Sequence, residues 1–261
     1  MLGRPERPDF MTIKLWRAEP LTSGQMFFYL LCLWFALLAL FHFVPSMDIY
    51  ASRLFYSQYP CPDPLQTLPT CGSFNLPALR GLAIARKVLF YLPSVLALVI
   101  FVMLLAALRH HGEPRYASRI CRLRTALLSF IIGPYFLVNL GFKSLWGRAR
   151  PYDTNIFGGD MPFTPAGMLS SNCEQNCSFV SGEAAGAGWI LCLALLLPPR
   201  LRPFLVPPLL VASIATPALR ITFGAHYLSD VVLGWVSSLI VFFGVLALSE
   251  QHRDKKIRKL T

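Results

Sequence analysis

The chain has 261 residues, 55% hydrophobic and only 14% charged, with a mean hydropathy of +0.53. These values lie far from those of soluble domains, so an integral membrane protein is expected and a water-soluble globular enzyme is excluded. The formal net charge of +11 comes from basic residues split among short loops, which argues against a nucleic-acid-binding face.

Six apolar stretches follow one another, at residues 26–44, 88–108, 125–142, 178–197, 203–219 and 231–249. Each can cross roughly 30 Å of hydrocarbon as a helix, allowing for short charged margins. The expected architecture is all-α, one integral membrane domain over residues 1–261 with six transmembrane helices and no repeats. The first stretch begins well inside the chain and has no small-residue cleavage site after it, so it reads as a retained span and not a signal peptide. The Pro-rich loop 45–79 is expected to lie along the interface, with Tyr50, Phe55, Tyr56 and Tyr59 in an aromatic belt. The basic tail after Glu250 reads as an anchor.

Lys and Arg in short loops stay on the cytoplasmic side, and six spans put both termini there. That face would hold 16 of the 24 cations: Arg4, Arg7, Lys14, Arg17, Arg109, Arg115, Arg119, Arg122, Arg124, Arg200, Arg202, Arg253, Lys255, Lys256, Arg258 and Lys259. The opposite face keeps Arg53, Arg80, Arg86, Lys87, Lys143, Arg148, Arg150 and Arg220. Four of these eight fall in two short strings, Lys143-x6-Arg150-Pro151 and Arg220-x5-His226-x3-Asp230. Cations concentrated where topology disfavours them indicate a task, and here they accompany an imidazole and a carboxylate, the composition of a phosphate-handling site. The remaining positive charge is mostly topological, with some attraction to anionic lipid heads.

The outer loops carry two cysteine pairs, Cys61 with Cys71 and Cys173 with Cys177. Four cysteines allow three pairings, of which two within-loop bridges are the simplest in an oxidising, periplasm-like compartment. The alternative for Cys173-x3-Cys177, half of a zinc site, lacks two further ligands on that face, where His226 is the spare histidine. No metal or other cofactor is expected, and no protein partner is indicated.

His226 and Asp230 are i and i+4, so at a helix start a carboxylate can hold the imidazole by one nitrogen and leave the other free to attack an electrophile. An isolated pair of this kind is more often a self-satisfied helix end; Arg220, Lys143 and Arg150 change that balance. A third element, Ser178-Phe179-Val180-Ser181-Gly182-Glu183, stands at the outer end of the fourth stretch. Helix-start amides at Ser181 and Gly182 can donate to an anion, although Gly182-x3-Gly186 also reads as a small-residue packing pattern. A carboxylic acid at membrane depth is costly unless paired, protonated or used, which singles out Glu183.

Lys-x6-Arg-Pro, then a Ser-Gly element, then Arg-x5-His-x3-Asp, in this order and spacing over residues 143–230, resembles the three-part signature of the type 2 phosphatidic acid phosphatase family. The stretch 45–56, Pro-Ser-Met-Asp-Ile-Tyr-Ala-Ser-Arg-Leu-Phe-Tyr, and the Ser-Gly-Glu form of the second element are similar to the bacterial lipid A phosphatase branch. Three positions depart from the family pattern: Val180 stands for Pro, Leu219 for Ser, and Glu183 for the His that serves as general acid. Burial would raise the Glu183 pKa and nearby cations would lower it, so it is left either as proton donor or as the partner of a cation or activator of water.

The resemblance implies a metal-independent mechanism. Lys143, Arg150 and Arg220 grip the phosphate, aided by Ser181 and Gly182. His226 attacks phosphorus, Asp230 orients the imidazole, Glu183 or solvent protonates the leaving oxygen, and water cleaves a phosphohistidine. Arg148 is expected to serve a second phosphate or a head group. The implied substrate is a membrane lipid phosphate at the outer leaflet of a bacterial inner membrane, with the site at the periplasmic ends of helices 3 to 6. Lipid A fits the branch, and the Ser-Gly-Glu form leans toward its 4′-phosphate. Phosphatidylglycerol phosphate, phosphatidic acid and undecaprenyl diphosphate fit the same geometry. A lipid-to-lipid phosphotransferase and a non-catalytic lipid-binding protein are the competing classes, and against transport the ionisable residues sit at helix ends and not mid-span.

Overall fold

A computed structural model describes residues 21–60 and 71–258. Arg4, Arg7, Lys14, Arg17, Cys61 and Lys259 lie outside the described residues. Helix α1 (Ser23–Phe43) opens with a capping box, in which the Thr22 hydroxyl accepts from the Gln25 amide at 3.2 Å and the Gln25 side chain accepts from the Thr22 amide at 2.9 Å. The loop expected to lie along the interface is instead built. It contains the short helix α2 (Ser46–Arg53) and an antiparallel hairpin of β1 (Tyr56–Tyr59) and β2 (Cys71–Phe74). The protein is therefore mostly helical with one small sheet, and not all-α.

Helix α3 (Arg80–Leu108) and α4 (Pro114–Phe130) begin earlier than the apolar stretches suggested. Helix α4 continues as a π-helical stretch, Ile131–Phe142, into the single turn α5 (Lys143–Leu145). Pro134 lies inside the π-helical stretch. It lacks an N–H and its ring crowds the preceding turn, which favours widening of the helix there. The Asn139 side chain donates to the Pro134 carbonyl at 2.9 Å.

A long loop then leads to α6 (Gly182–Leu196), α7 (Arg202–Thr222) and α8 (Leu228–Arg258). Among the described residues five helical segments are long and apolar enough to cross a membrane: Ser23–Phe43, Arg80–Leu108, Tyr116–Phe142, Arg202–Thr222 and Leu228–His252. The expected fourth span is a helix only from Gly182. Its 15 residues cover about 22 Å at 1.5 Å each, short of a roughly 30 Å crossing. Residues 178–181 belong to the loop before it.

Helix α6 is the centre of the bundle. It is apolar on all sides, as a helix surrounded by others must be, and Trp189, Ile190 and its alanines 184, 185 and 187 are fully buried. Its small residues bring neighbours close, and a Cβ on Gly188 would overlap the Trp235 carbonyl of α8. Hydroxyls supply the polar attachments between helices: Ser213 of α7 donates to the Ala187 carbonyl at 2.8 Å, and Ser238 of α8 donates to the Ala185 carbonyl at 2.7 Å. Trp34 of α1 is tied to α8 through Ser237 at 3.0 Å. Large side chains such as Phe28, Phe35, Val95, Phe136 and Val211 remain exposed on the outer helix faces, the surface that lipid would cover.

Candidate active site

The ends of α5 and α7, the starts of α3, α6 and α8, helix α2 and the loop from residue 146 to 181 all meet at one end of the bundle. Gly147 turns the chain there at φ 58°, and a Cβ at this position would overlap the Ser170 carbonyl oxygen. That turn sends Arg148 inward and leaves Arg150 at the surface of the site.

Arg148 is completely buried. Its Nη1 donates to Asp230 at 2.6 Å and to Ser229 Oγ at 2.8 Å, its Nη2 to Asp48 at 2.8 Å, and its Nε to the Thr164 carbonyl at 2.8 Å. The guanidinium also lies 4.3 Å from the centre of the Tyr227 ring. Burial works against its charge, but Asp230 and Asp48 outweigh burial and raise its pKa. The expectation that Arg148 serves a second phosphate or head group is corrected, because every edge of this guanidinium is consumed inside the protein. Asp48 of α2 is buried as well and accepts from Ser229 through the backbone N at 2.8 Å and Oγ at 2.6 Å.

His226 is 1% exposed. Its Nδ1 faces the Ser178 carbonyl at 2.8 Å, with the Ser178 hydroxyl at 3.4 Å. Asp230 stands 3.9 Å away, beyond hydrogen-bond reach. The carboxylate instead accepts from Ser178 Oγ at 2.5 Å, from the Tyr227 amide at 2.9 Å and from Arg148. The expectation that Asp230 holds the imidazole directly is thus corrected: Ser178 stands between them. His226 lies two residues before α8, so the helical i,i+4 geometry that would have joined the pair does not operate. A carbonyl can only accept, so Nδ1 carries the hydrogen and Nε2 keeps its lone pair. Burial first, then the charges of Arg220, Lys143 and Arg150, push the imidazole pKa well below its ordinary value, against the pull of the Ser178 carbonyl. The ring is therefore neutral at neutral pH.

Those three cations, with Arg86 of α3, line a cavity of about 440 Å³ together with Gly182 and Glu183. Its other wall is apolar, formed by Leu89, Phe90, Pro93, Phe130, Pro134 and Tyr135. His226 is not in the lining; its amide donates to the carbonyl of Arg220, which is, at 3.2 Å. Arg150 donates twice to the Asn176 carbonyl, at 2.8 and 3.2 Å, and Lys143 contacts the Asn176 side chain at 3.4 Å. Burial, then Arg150 and Arg220, lower the Lys143 pKa to about 8, with Glu183 opposing.

Glu183 Oε1 receives Arg86 at 2.6 Å and Arg220 at 3.4 Å. Of the roles left open for Glu183, proton donor, activator of water or partner of a cation, the last is the one visible in these contacts. Among the described residues three buried atoms around this cluster have no hydrogen-bond partner: Arg86 Nε, Arg220 Nε and Glu183 Oε2. The Ser181 amide donates to the Asp230 carbonyl at 2.9 Å and its hydroxyl accepts from the Ala184 amide, so the amide is not free for a phosphate, contrary to expectation. Gly182, the first residue of α6, does reach the cavity; a Cβ there would overlap the Asn139 side chain.

Cys173 is bonded to Cys177, which removes the zinc alternative, since sulfurs bonded to each other are not thiolate ligands. Cys71 is disulfide-bonded, and its expected partner Cys61 lies outside the described residues. Among the described residues no group of three or more metal-ligating side chains occurs. In the sequence Ser229 and Asn176 went unnoticed, Asp48 and Ser178 lay within the quoted stretches without a role of their own, and Arg86 stayed among the uncommitted outer cations. The one local signal was polarity: Asp48 and Ser229 are polar residues directly beside apolar helices.

The PAP2 superfamily profile matches residues 122–254, which takes in every one of these residues except Asp48 and Arg86. The lipid A 4′-phosphatase of Rhizobium etli is 45% identical over 238 residues, 91% of this chain and 93% of that protein. The lipid A 4′-phosphatase of Rhizobium leguminosarum is 47% identical over 224 residues, 86% of this chain and 96% of that one. A Francisella tularensis subsp. novicida protein of the same name is 36% identical over 47% of this chain. Among solved structures, a transmembrane PAP2-type phosphatidylglycerolphosphate phosphatase from Bacillus subtilis aligns over 87% of this chain and 96% of its own at 17% identity and a TM-score of 0.47. With a family profile over half the chain and two relatives alike over almost their whole length, this multi-pass membrane protein belongs to the PAP2 superfamily.

Proposed function

We propose that this chain is a lipid phosphatase that hydrolyses the 4′-phosphate of lipid A, working through a phosphohistidine on His226. The single observation that carries the chemistry is the imidazole, fixed at Nδ1 by the Ser178 carbonyl and kept neutral by burial and by the cations beside it. Such a ring presents an unprotonated nitrogen to an electrophile. The two relatives of nearly equal length, both named lipid A 4′-phosphatase, support the substrate and the position.

In this reading Lys143, Arg150 and Arg220 bind the phosphate oxygens and offset the charge of the pentacoordinate transition state, with the Gly182 amide at the helix start as a further donor. Nε2 of His226 bonds to phosphorus as the bond to the sugar oxygen breaks. That oxygen takes its proton from solvent. Water then attacks the phosphohistidine, the N–P bond breaks, and inorganic phosphate leaves. Asp230 acts on His226 at one remove, by holding the Ser178 hydroxyl and Arg148. Residues 1–261 work as one domain. Helix α6 is the sixth crossing, sheltered by the others, both termini are cytoplasmic, and the site opens at the periplasmic leaflet of the inner membrane. The apolar wall of the cavity then meets lipid chains while the cations meet the head group.

The test is mass spectrometry of lipid A after incubation with purified protein. Loss of one phosphate, assigned to the 4′ position by fragmentation and absent with His226→Ala, is expected. Unchanged lipid A, with phosphate released from phosphatidic acid, would overturn the substrate assignment and leave the nucleophile in place.

A further inference from the structure

Resting on the phosphatase reading, we infer that Arg86 and Glu183 form a subsite that recognises a neutral hydrogen-bond donor on the sugar next to the phosphate, a ring hydroxyl or an amide N–H. The pair therefore selects amino-sugar phosphates over glycerol phosphates.

Three observations carry this. The Glu183 side chain is 10% exposed, and its Oε1 is occupied by Arg86 at 2.6 Å and Arg220 at 3.4 Å. Its other oxygen, Oε2, is buried without a partner. Glu183 lines the same cavity as Lys143, Arg150 and Arg220. A buried carboxylate oxygen left unpaired carries a desolvation cost that an incoming donor removes. A phosphate dianion cannot be that donor, because its oxygens only accept and its charge repels the carboxylate. The group that meets Oε2 must carry an O–H or N–H.

The two orphaned Nε atoms complete the pattern. Arg220 Nε, beside the phosphate-binding cations, suits a phosphate oxygen. Arg86 Nε suits a neutral acceptor such as an acyl carbonyl. An N-acylated amino sugar supplies a donor and a carbonyl together on the ring that bears its phosphate. A diacylglycerol phosphate has carbonyls but no hydrogen-bond donor outside the phosphate itself. Selection of this kind is strong in this direction, since a substrate lacking the donor leaves a buried acceptor unpaired.

The experiment compares kcat/KM of the purified full chain on an N,O-diacylated glucosamine 4-phosphate and on phosphatidic acid of the same chain length. The ratio of the two is the readout, because it does not depend on how much of a preparation is folded. Wild type is expected to favour the amino-sugar phosphate. Glu183→Gln and Glu183→Ala should each lower that ratio by about tenfold to a hundredfold, the range of one hydrogen bond to a charged group. A proton-donor or structural role for Glu183 would slow both substrates together, since both leaving groups are alkoxides. A ratio unchanged within about twofold in both variants, or a wild type with no preference, would overturn the inference. Hydrolysis of neither substrate by wild type would overturn the phosphatase reading, and the subsite with it.

Discussion

The two halves of the site are built on opposite principles. Around His226 the polar groups close on one another: Arg148 is shared between Asp48 and Asp230, Ser229 serves Asp48, and Ser178 joins Asp230 to the imidazole. Across the cavity, the side chains of Arg220 and Glu183 are 6% and 10% exposed and that of Arg86 is 32% exposed, and among the described residues each leaves one buried atom without a partner. Completed bonds fix geometry, and a satisfied buried network specifies one arrangement of its members. Incomplete ones store a cost that a ligand relieves. The first half holds the nucleophile still; the second waits for the phosphate and its sugar.

The largest effect should come from the nucleophile itself. His226→Ala is expected to lower phosphate release from lipid A by about four orders of magnitude or more, while detergent-solubilised protein keeps a wild-type elution profile. Retained turnover would remove His226 from the mechanism and the closed half would lose its purpose.

A pair of arginines then separates the halves. Arg148→Met leaves Asp48 and Asp230 buried without their cation and should cost about 3–5 kcal/mol of stability, read as a lower melting temperature. Arg220→Met should instead cost about a hundredfold to a thousandfold in kcat/KM, as loss of one transition-state donor does, with a melting temperature closer to wild type. Equal melting temperatures for the two variants would erase the distinction.

The open half also has a signature in pH. Lys143 is a cation below about pH 8 and neutral above it, so its grip on phosphate is present at neutral pH and fades as pH rises through that value. His226 adds no limb above pH 6.5, because its pKa lies well below that. Therefore kcat/KM should fall on the alkaline side of pH 8, mainly through KM, and Lys143→Arg, which stays charged, should move that limb to higher pH. An alkaline limb unmoved in Lys143→Arg would assign it to another group.

Local spacing made part of this site readable. Lys143, Arg150, Arg220 and His226 stand at fixed intervals at the margins of apolar runs, and Glu183 is an acid where acids are costly. Contacts across the fold left no such trace. Arg148 and Asp48 are 100 residues apart, and Arg86 and Glu183 are 97 apart, so the counter-ion of each was invisible. Where a local rule misled, a neighbour from another element had intervened. The Ser181 amide looked free as a helix-start donor until α8 brought the Asp230 carbonyl to it at 2.9 Å. The span count suffered similarly, because the fourth apolar run includes residues 178–181, which bind Asp230 and the imidazole instead of extending α6.

The smallest effect expected bears on how the open half is kept in place. Asn176, held at φ 52° in the left-handed region that Asn tolerates, sits inside the five-residue ring closed by Cys173 and Cys177. Its carbonyl takes Nε and Nη2 of Arg150, and its side chain takes Lys143. With Asn176 between the cysteines, breaking the disulfide should reach the phosphate-binding cations before it reaches the rest of the fold. A Cys173→Ser, Cys177→Ser double variant should raise KM by about twofold to fivefold, less than one charged hydrogen bond is worth, because Arg150 and Lys143 keep their charge and lose only a fixed partner. Its kcat should stay near wild type, since the Ser178 carbonyl and hydroxyl that meet His226 and Asp230 are unaltered in the variant. A fall in kcat at unchanged KM would mean that the loop supports the closed half through Ser178, whose amide donates to the Arg148 carbonyl at 2.8 Å, and that the two halves are mechanically one.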